Sequence, residues 1–290
     1  MQSTSRRVGI FAVLGSALCF GTTGTTQQLG LSEISPVAVG AARLLCGSLF
    51  LFLFAYLQRT QRGTVRMSRR DLLICGFGVA IYQLTFFSAV DITGIAISTV
   101  TALGSVPTFS AIVAFIVLGE KPSRSWYLGT SITILGIVLV GTANGIEEFK
   151  PLGIFLAAIA GLGFAVFSVV SRRALTLGVQ DFWLTATSFG VAALITLPFL
   201  FAQNPEWLIT TAGALSVLWL GLVPTAIGYF LFTSGLKRLD SSTAATVVLA
   251  EPATATILAA VVIGETLVGQ SYIGIVIVAA GILYISRAKK

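Results

Sequence analysis

A chain of 290 residues that is 56% hydrophobic and 10% charged lies outside the roughly 45–50% apolar and 25% charged make-up of a soluble domain, so it reads as an integral membrane protein. The net charge of +7 comes from short basic clusters between apolar runs, which is the pattern of an orientation signal and argues against a nucleic-acid partner. The sequence holds no histidine, no phosphate-cradling G-x-x-x-x-G-K-[ST] loop and no catalytic constellation, so no enzyme activity, metal or cofactor is expected.

A helix rises about 1.5 Å per residue and must cross about 30 Å of hydrocarbon, so apolar runs of about 17–25 residues are read as spans. Ten are expected, over 8–29, 36–57, 72–90, 95–118, 126–142, 152–174, 182–202, 212–236, 242–263 and 271–285. The first follows Arg6 and Arg7 but is too long for a signal-peptide core and lacks a small-x-small exit, so it is read as a span. It gathers Thr22, Thr23, Thr25, Thr26, Gln27 and Gln28 toward its far end. The second carries Arg43, and the third carries Tyr82, Gln83 and Phe86. The fourth holds Ser98, Thr99, Thr101, Ser105, Thr108 and Ser110 around Pro107. The sixth holds Phe164 and Ser168, the eighth Tyr229 and Phe230, and the ninth Glu251 and Pro252. From 272 to 285 the tenth has no hydrogen-bonding side chain except Tyr272 and Tyr284, as a lipid-facing or helix-packing segment would. Cys19, Cys46 and Cys75 lie in apolar segments without paired spacing and read as small buried side chains.

Sixteen basic residues fall at the termini and in the even-numbered loops, against Lys150 alone in the odd-numbered ones. That bias places both termini in the cytoplasm and independently supports ten spans.

The chain also repeats itself. A shift of 145 places lays Pro107 on Pro252, Gly119-Glu120 on Gly264-Glu265, Tyr127 and Gly129 on Tyr272 and Gly274, and Gly136-Ile137 on Gly281-Ile282. A shift of 144 lays Gly9-Ile10-Phe11 on Gly153-Ile154-Phe155, and Leu18 and Phe20 on Leu162 and Phe164. The chain therefore reads as a duplication, 1–146 and 147–290. Five spans per unit is an odd number, so the second unit enters the membrane upside down, which is a common plan of secondary transporters.

These features resemble the EamA family of the drug/metabolite transporter superfamily, and within it the YddG-type exporters of amino acids and related metabolites. The resemblance rests on ten spans in two units, on a fourth helix of each unit with a central proline and a Gly-Glu end (Pro107 with Gly119-Glu120, Pro252 with Gly264-Glu265), on the Glu251-Pro252 pairing and on Arg43 early in the second span. It implies an all-α fold of two inverted five-helix repeats, with a central cavity lined by helices 1 to 4 and 6 to 9 and with helices 5 and 10 peripheral.

The candidate substrate-binding residues are then Thr23, Tyr82, Gln83, Phe86, Thr101, Phe164, Ser168, Tyr229 and Glu251. Pro107 and Pro252 are candidate hinges, because each removes a backbone donor and opens its helix. Arg43 and Glu251 are intramembrane charges, each costing a few kcal/mol if unpaired. The alternatives stay open: hydroxyls bonded back to their own helix, aromatics that only pack, prolines that only kink, and an Arg43–Glu251 structural pair or a snorkelling Arg43. Glu120 and Glu265, at helix ends, read as caps of neighbouring helix starts. The expected function is a secondary transporter, an exporter of small metabolites such as amino acids, in a bacterial inner membrane. The alternative is a flippase for a lipid or lipid-linked sugar, which a groove opening laterally between helices would favour. The partners are a small-molecule substrate and membrane lipid; the sequence carries no signal for the oligomeric state.

Overall fold

A computed structural model describes residues 2–58, 65–145, 150–202 and 204–287. Arg59, Arg62, Lys289 and Lys290 lie outside the described residues. Among the described residues ten helices are long and apolar enough to cross a membrane. They are α1 (Gln2–Gly30), α2 (Pro36–Leu57), α3 (Arg69–Thr93), α4 (Ile95–Leu118), α5 (Arg124–Gly141), α6 (Pro151–Thr176), α7 (Asp181–Phe201), α8 (Thr211–Leu236), α9 (Ser241–Ile263) and α10 (Gly269–Arg287).

Local chemistry sets the ends of these helices. Pro36 and Pro151 open α2 and α6, where a missing N–H is harmless. Ser68 and Ser123 start α3 and α5 by accepting from the N–H of Asp71 (3.0 Å) and Trp126 (3.2 Å). The repeated Gly-Glu closes α4 and α9. Gly119 (φ 67°) and Gly264 (φ 86°) take the left-handed conformation that a side chain disfavours. The following N–H groups of Glu120 and Glu265 then reach back to the carbonyls of Ala114 (3.2 Å) and Ala259 (3.3 Å), six residues earlier.

Helix neighbours follow a two-fold rule. α3 packs on α6 as α8 packs on α1; α4 packs on α6 as α9 packs on α1; α2 packs on α7 and α5 on α10, each on its own counterpart. Glycines set the closest crossings. A Cβ on Gly78 of α3 would lie 2.8 Å from the Gly163 carbonyl of α6, and one on Gly163 equally close to the Gly78 carbonyl. The α5–α10 pair meets in the same reciprocal way at Gly136 and Gly274.

The two prolines do not act alike. Helix α4 runs uninterrupted through Pro107. Helix α9 breaks at Val248–Leu249: with no N–H at Pro252 to use the Val248 carbonyl, the Glu251 N–H takes it instead at 2.9 Å, three residues apart. Helix α8 loosens too, being π-helical over Gly221–Gly228 around Pro224, where Thr225 Oγ1 donates to the Leu220 carbonyl at 2.7 Å. The expectation of equal breaks in both halves is thus corrected, since the irregular backbone falls in the second repeat.

Candidate functional site

A cavity of about 120 Å3 lies between α1, α2, α3, α4, α6, α8 and α9, and a vestibule of about 630 Å3 continues from it to the face where α4 begins and α9 ends. The two spaces share Gly24, Gln27, Pro36, Ile95, Thr99, Pro252 and Ala255. Helix α7, expected to line the cavity, contributes no lining residue. Helix α5, expected to be peripheral, helps form the vestibule through Ile137 and Val140, with Asn144 from the turn that follows it.

Thr23, Arg43, Tyr82, Phe86, Phe164, Tyr229, Glu251 and Pro252 all line the cavity. Gln83, Thr101, Ser168 and Pro107 do not. Helix geometry explains the difference. Thr99 and Leu103 share one face of α4 and line the space, whereas Thr101, midway between them, points elsewhere. Ser168 is one turn below Phe164, about 6 Å nearer the opposite face. Gln83 is turned about 100° from Tyr82 and lies 1% exposed against Gly40 of α2, with neither amide atom partnered. The candidate binding residues also leave out Phe20 and Ala255, and Gln27 and Thr99, which the sequence marks only as members of the polar clusters of the first and fourth spans. The available signal was a stripe at three- and four-residue spacing, Phe20–Thr23–Gln27 on α1 and Ile95–Thr99–Leu103 on α4.

The hydroxyls divide between the two readings left open. Thr22, Thr26 and Ser105 donate to carbonyls of their own helices at 2.7–2.8 Å. Thr25 Oγ1 and Gln27 Nε2 are buried without a partner. The charges are freer than a structural pair would be. Arg43 is 7% exposed, its guanidinium lies 5.9 Å from the centre of the Phe87 ring, and its Nε has no acceptor. A cation over a ring gains about 0.5–2 kcal/mol, less than the several kcal/mol that desolvating the ion costs. Among the described residues no ion pair within 4.0 Å joins Arg43 to Glu251, and no hydrogen bond engages the Glu251 carboxylate.

Beneath the cavity the chain is closed. Tyr229 packs 4.7 Å from Phe20 and 4.4 Å from Phe189, and Phe164 lies 5.2 Å from Phe232, forming an aromatic floor. Below it Arg172 of α6 pairs through Nε with Glu120, reaches Asp240 at 3.5 Å and donates to the Leu236 carbonyl at 2.6 Å. Glu120 also accepts from the Ser241 N–H at 3.2 Å, and so caps the start of α9. Trp126 Nε1 donates to the Ser242 carbonyl at 3.0 Å and to Thr246 Oγ1 at 3.1 Å.

An inverted-repeat helical bundle with a central cavity, aromatic-walled and holding two opposite charges, open to one face and sealed at the other, defines a membrane transporter fold. The EamA-like transporter family model matches residues 7–142 and again 151–287, so the chain belongs to that family. A Bacillus subtilis protein named uncharacterized transporter YwfM is 34% identical over 278 residues, covering 96% of this chain and 93% of that protein. A Streptantibioticus cattleyicolor protein named probable terminal-alkyne amino-acid exporter is 24% identical over 288 residues, 96% of this chain and 93% of that one. A protein of known crystal structure superposes over 100% of both chains with a TM-score of 0.83 at 19% identity, a likeness of fold.

Proposed function

We propose that the protein is a secondary transporter of zwitterionic small metabolites of the amino-acid class, working by alternating access around the Arg43–Glu251 cavity, and that it exports them. The observation that carries this reading is the pair of opposite charges lining one cavity with no direct bond between them, each left open to a ligand group. A carboxylate suits Arg43 and an ammonium suits Glu251. The rings of Phe20, Tyr82, Phe86, Phe164 and Tyr229 suit a partly apolar side chain. The name of the Streptantibioticus relative supports the same class. The chain sits in a bacterial inner membrane, with the basic face, which includes Arg172 and Lys237, and both termini in the cytoplasm.

The lipid route is less well supported. The lateral groove of about 300 Å3 that includes Phe54, Leu57, Phe182 and Phe230 shares no lining residue with the central cavity. Thermal unfolding of the purified protein with a panel of amino acids, their decarboxylated amines and their amides tests the zwitterion directly. Stabilisation by the amino acid and not by either truncated analogue is expected; equal stabilisation by the amine removes Arg43 from recognition.

A further inference from the structure

The two mouths of the cavity are built from equivalent positions with different chemistry. Under the repeat shifts Arg172 corresponds to Gln28, Glu120 to Glu265, Asp240 to Ile95 and Trp126 to Ser271. At the sealed mouth Arg172, 15% exposed, is bound to Glu120, 20% exposed, with Asp240 and the α8 end carbonyl of Leu236 as further acceptors, and the Trp126 indole is clasped to α9. At the open mouth the same four positions supply one exposed contact, Gln28 Nε2 to Glu265 Oε1 at 3.3 Å. A partly buried, charge-assisted network is screened less and holds more firmly than one exposed amide contact.

We propose that Arg172, with Glu120 and Asp240, is a latch that ties α6 to α4, α8 and α9 and sets the resting protein open on the Gln28 face, while the neutral Gln28 keeps the opposite gate easy to release. The inference rests on the alternating-access reading but on no choice of substrate. A transporter whose two gates were equally strong would spend its time evenly between its two open states; unequal gates shift that population without altering the cavity. The latch bonds must break for the Arg172 face to open, and equivalent bonds scarcely form when the Gln28 face closes.

The test exploits the repeat. Ala255, which lines both cavity and vestibule, is replaced by cysteine in a background with Cys19, Cys46 and Cys75 changed to alanine. Its labelling by a membrane-impermeant maleimide is timed from each face of oriented vesicles. The parent is expected to label at least about tenfold faster from the Gln28 face. Arg172→Gln, which makes the sealed mouth chemically like the open one, is expected to lower that ratio about tenfold. Gln28→Arg sets a cation among Glu265 and Asp91, both vestibule residues. It is expected to slow labelling from the Gln28 face about fivefold, with the rate recovered in Gln28→Arg/Glu265→Gln. The exposed Gln28 substitution decides the matter alone if Arg172→Gln does not fold. Labelling ratios unchanged by Arg172→Gln, or a Gln28→Arg protein that labels as fast as its parent, overturn the latch. Flux that persists in such variants leaves alternating access standing, so the two failures are distinguishable.

Discussion

Arg43 is 7% exposed, lies over the Phe87 ring and has an Nε without an acceptor, while Glu251 faces the same cavity from α9. Because the two line one cavity without a direct bond, Arg43→Gln and Glu251→Gln are expected to couple only weakly, by less than about 1 kcal/mol in a thermal-stability cycle. Each is expected to weaken substrate affinity about tenfold or more. A coupling above about 1 kcal/mol in the stability cycle would reveal a structural ion pair instead. Glu251→Gln is further expected to remove most of the pH dependence of flux, since a proton and a substrate ammonium would compete for one carboxylate. Full pH dependence in that variant would make Glu251 structural.

The aromatic walls make a separate prediction. Tyr82→Leu and Tyr229→Leu are expected to change substrate preference in a flux panel while the protein stays folded. A lipid-facing control on α10 must avoid Val278, which is 2% exposed and whose backbone nitrogen would lie 2.7 Å from a Cβ on Gly136. Val276, 66% exposed on α10, is the proper comparison. Equal changes at Val276→Leu and Tyr82→Leu would mean that general packing is being read.

Among the elements, α4 and α9 share a proline and a Gly-Glu end yet differ in backbone. Pro252→Ala restores an N–H where the break in α9 depends on its absence, so it is expected to alter flux more than Pro107→Ala, whose helix is already continuous. Equal effects would show that both prolines act only through packing. The sequence showed the helices and the repeat because apolar length, loop charge and a proline or glycine in register are one-dimensional signals. It did not show that α9 breaks and α4 does not, because Pro107 and Pro252 lack the same N–H and look alike in the sequence. Gln83 fails as a lining residue for a similar reason: type and depth were legible, but the 100° turn that carries it from the cavity to Gly40 depends on helix rotation. Glu251 was legible because a charge at mid-span must find a place inside the protein.

At the scale of the molecule, the charge bias predicts a sidedness that labelling can check. A cysteine near Arg66 is expected to react only from the cytoplasm, and one at the exposed Asn144 only from outside. Glu147, three residues further along the same loop, lies outside the described residues. Reaction of both from one side would remove an odd number of crossings and the inversion with them. The central claim is that zwitterionic metabolites cross through the Arg43–Glu251 cavity. Its most direct measurement is counterflow of radiolabelled amino acids into liposomes containing the purified protein, alongside Arg43→Gln, Glu251→Gln and the Val276→Leu control. Saturable uptake by the parent and by Val276→Leu, reduced about tenfold or more in both charge variants, is the predicted result. Undiminished uptake in both charge variants would contradict it.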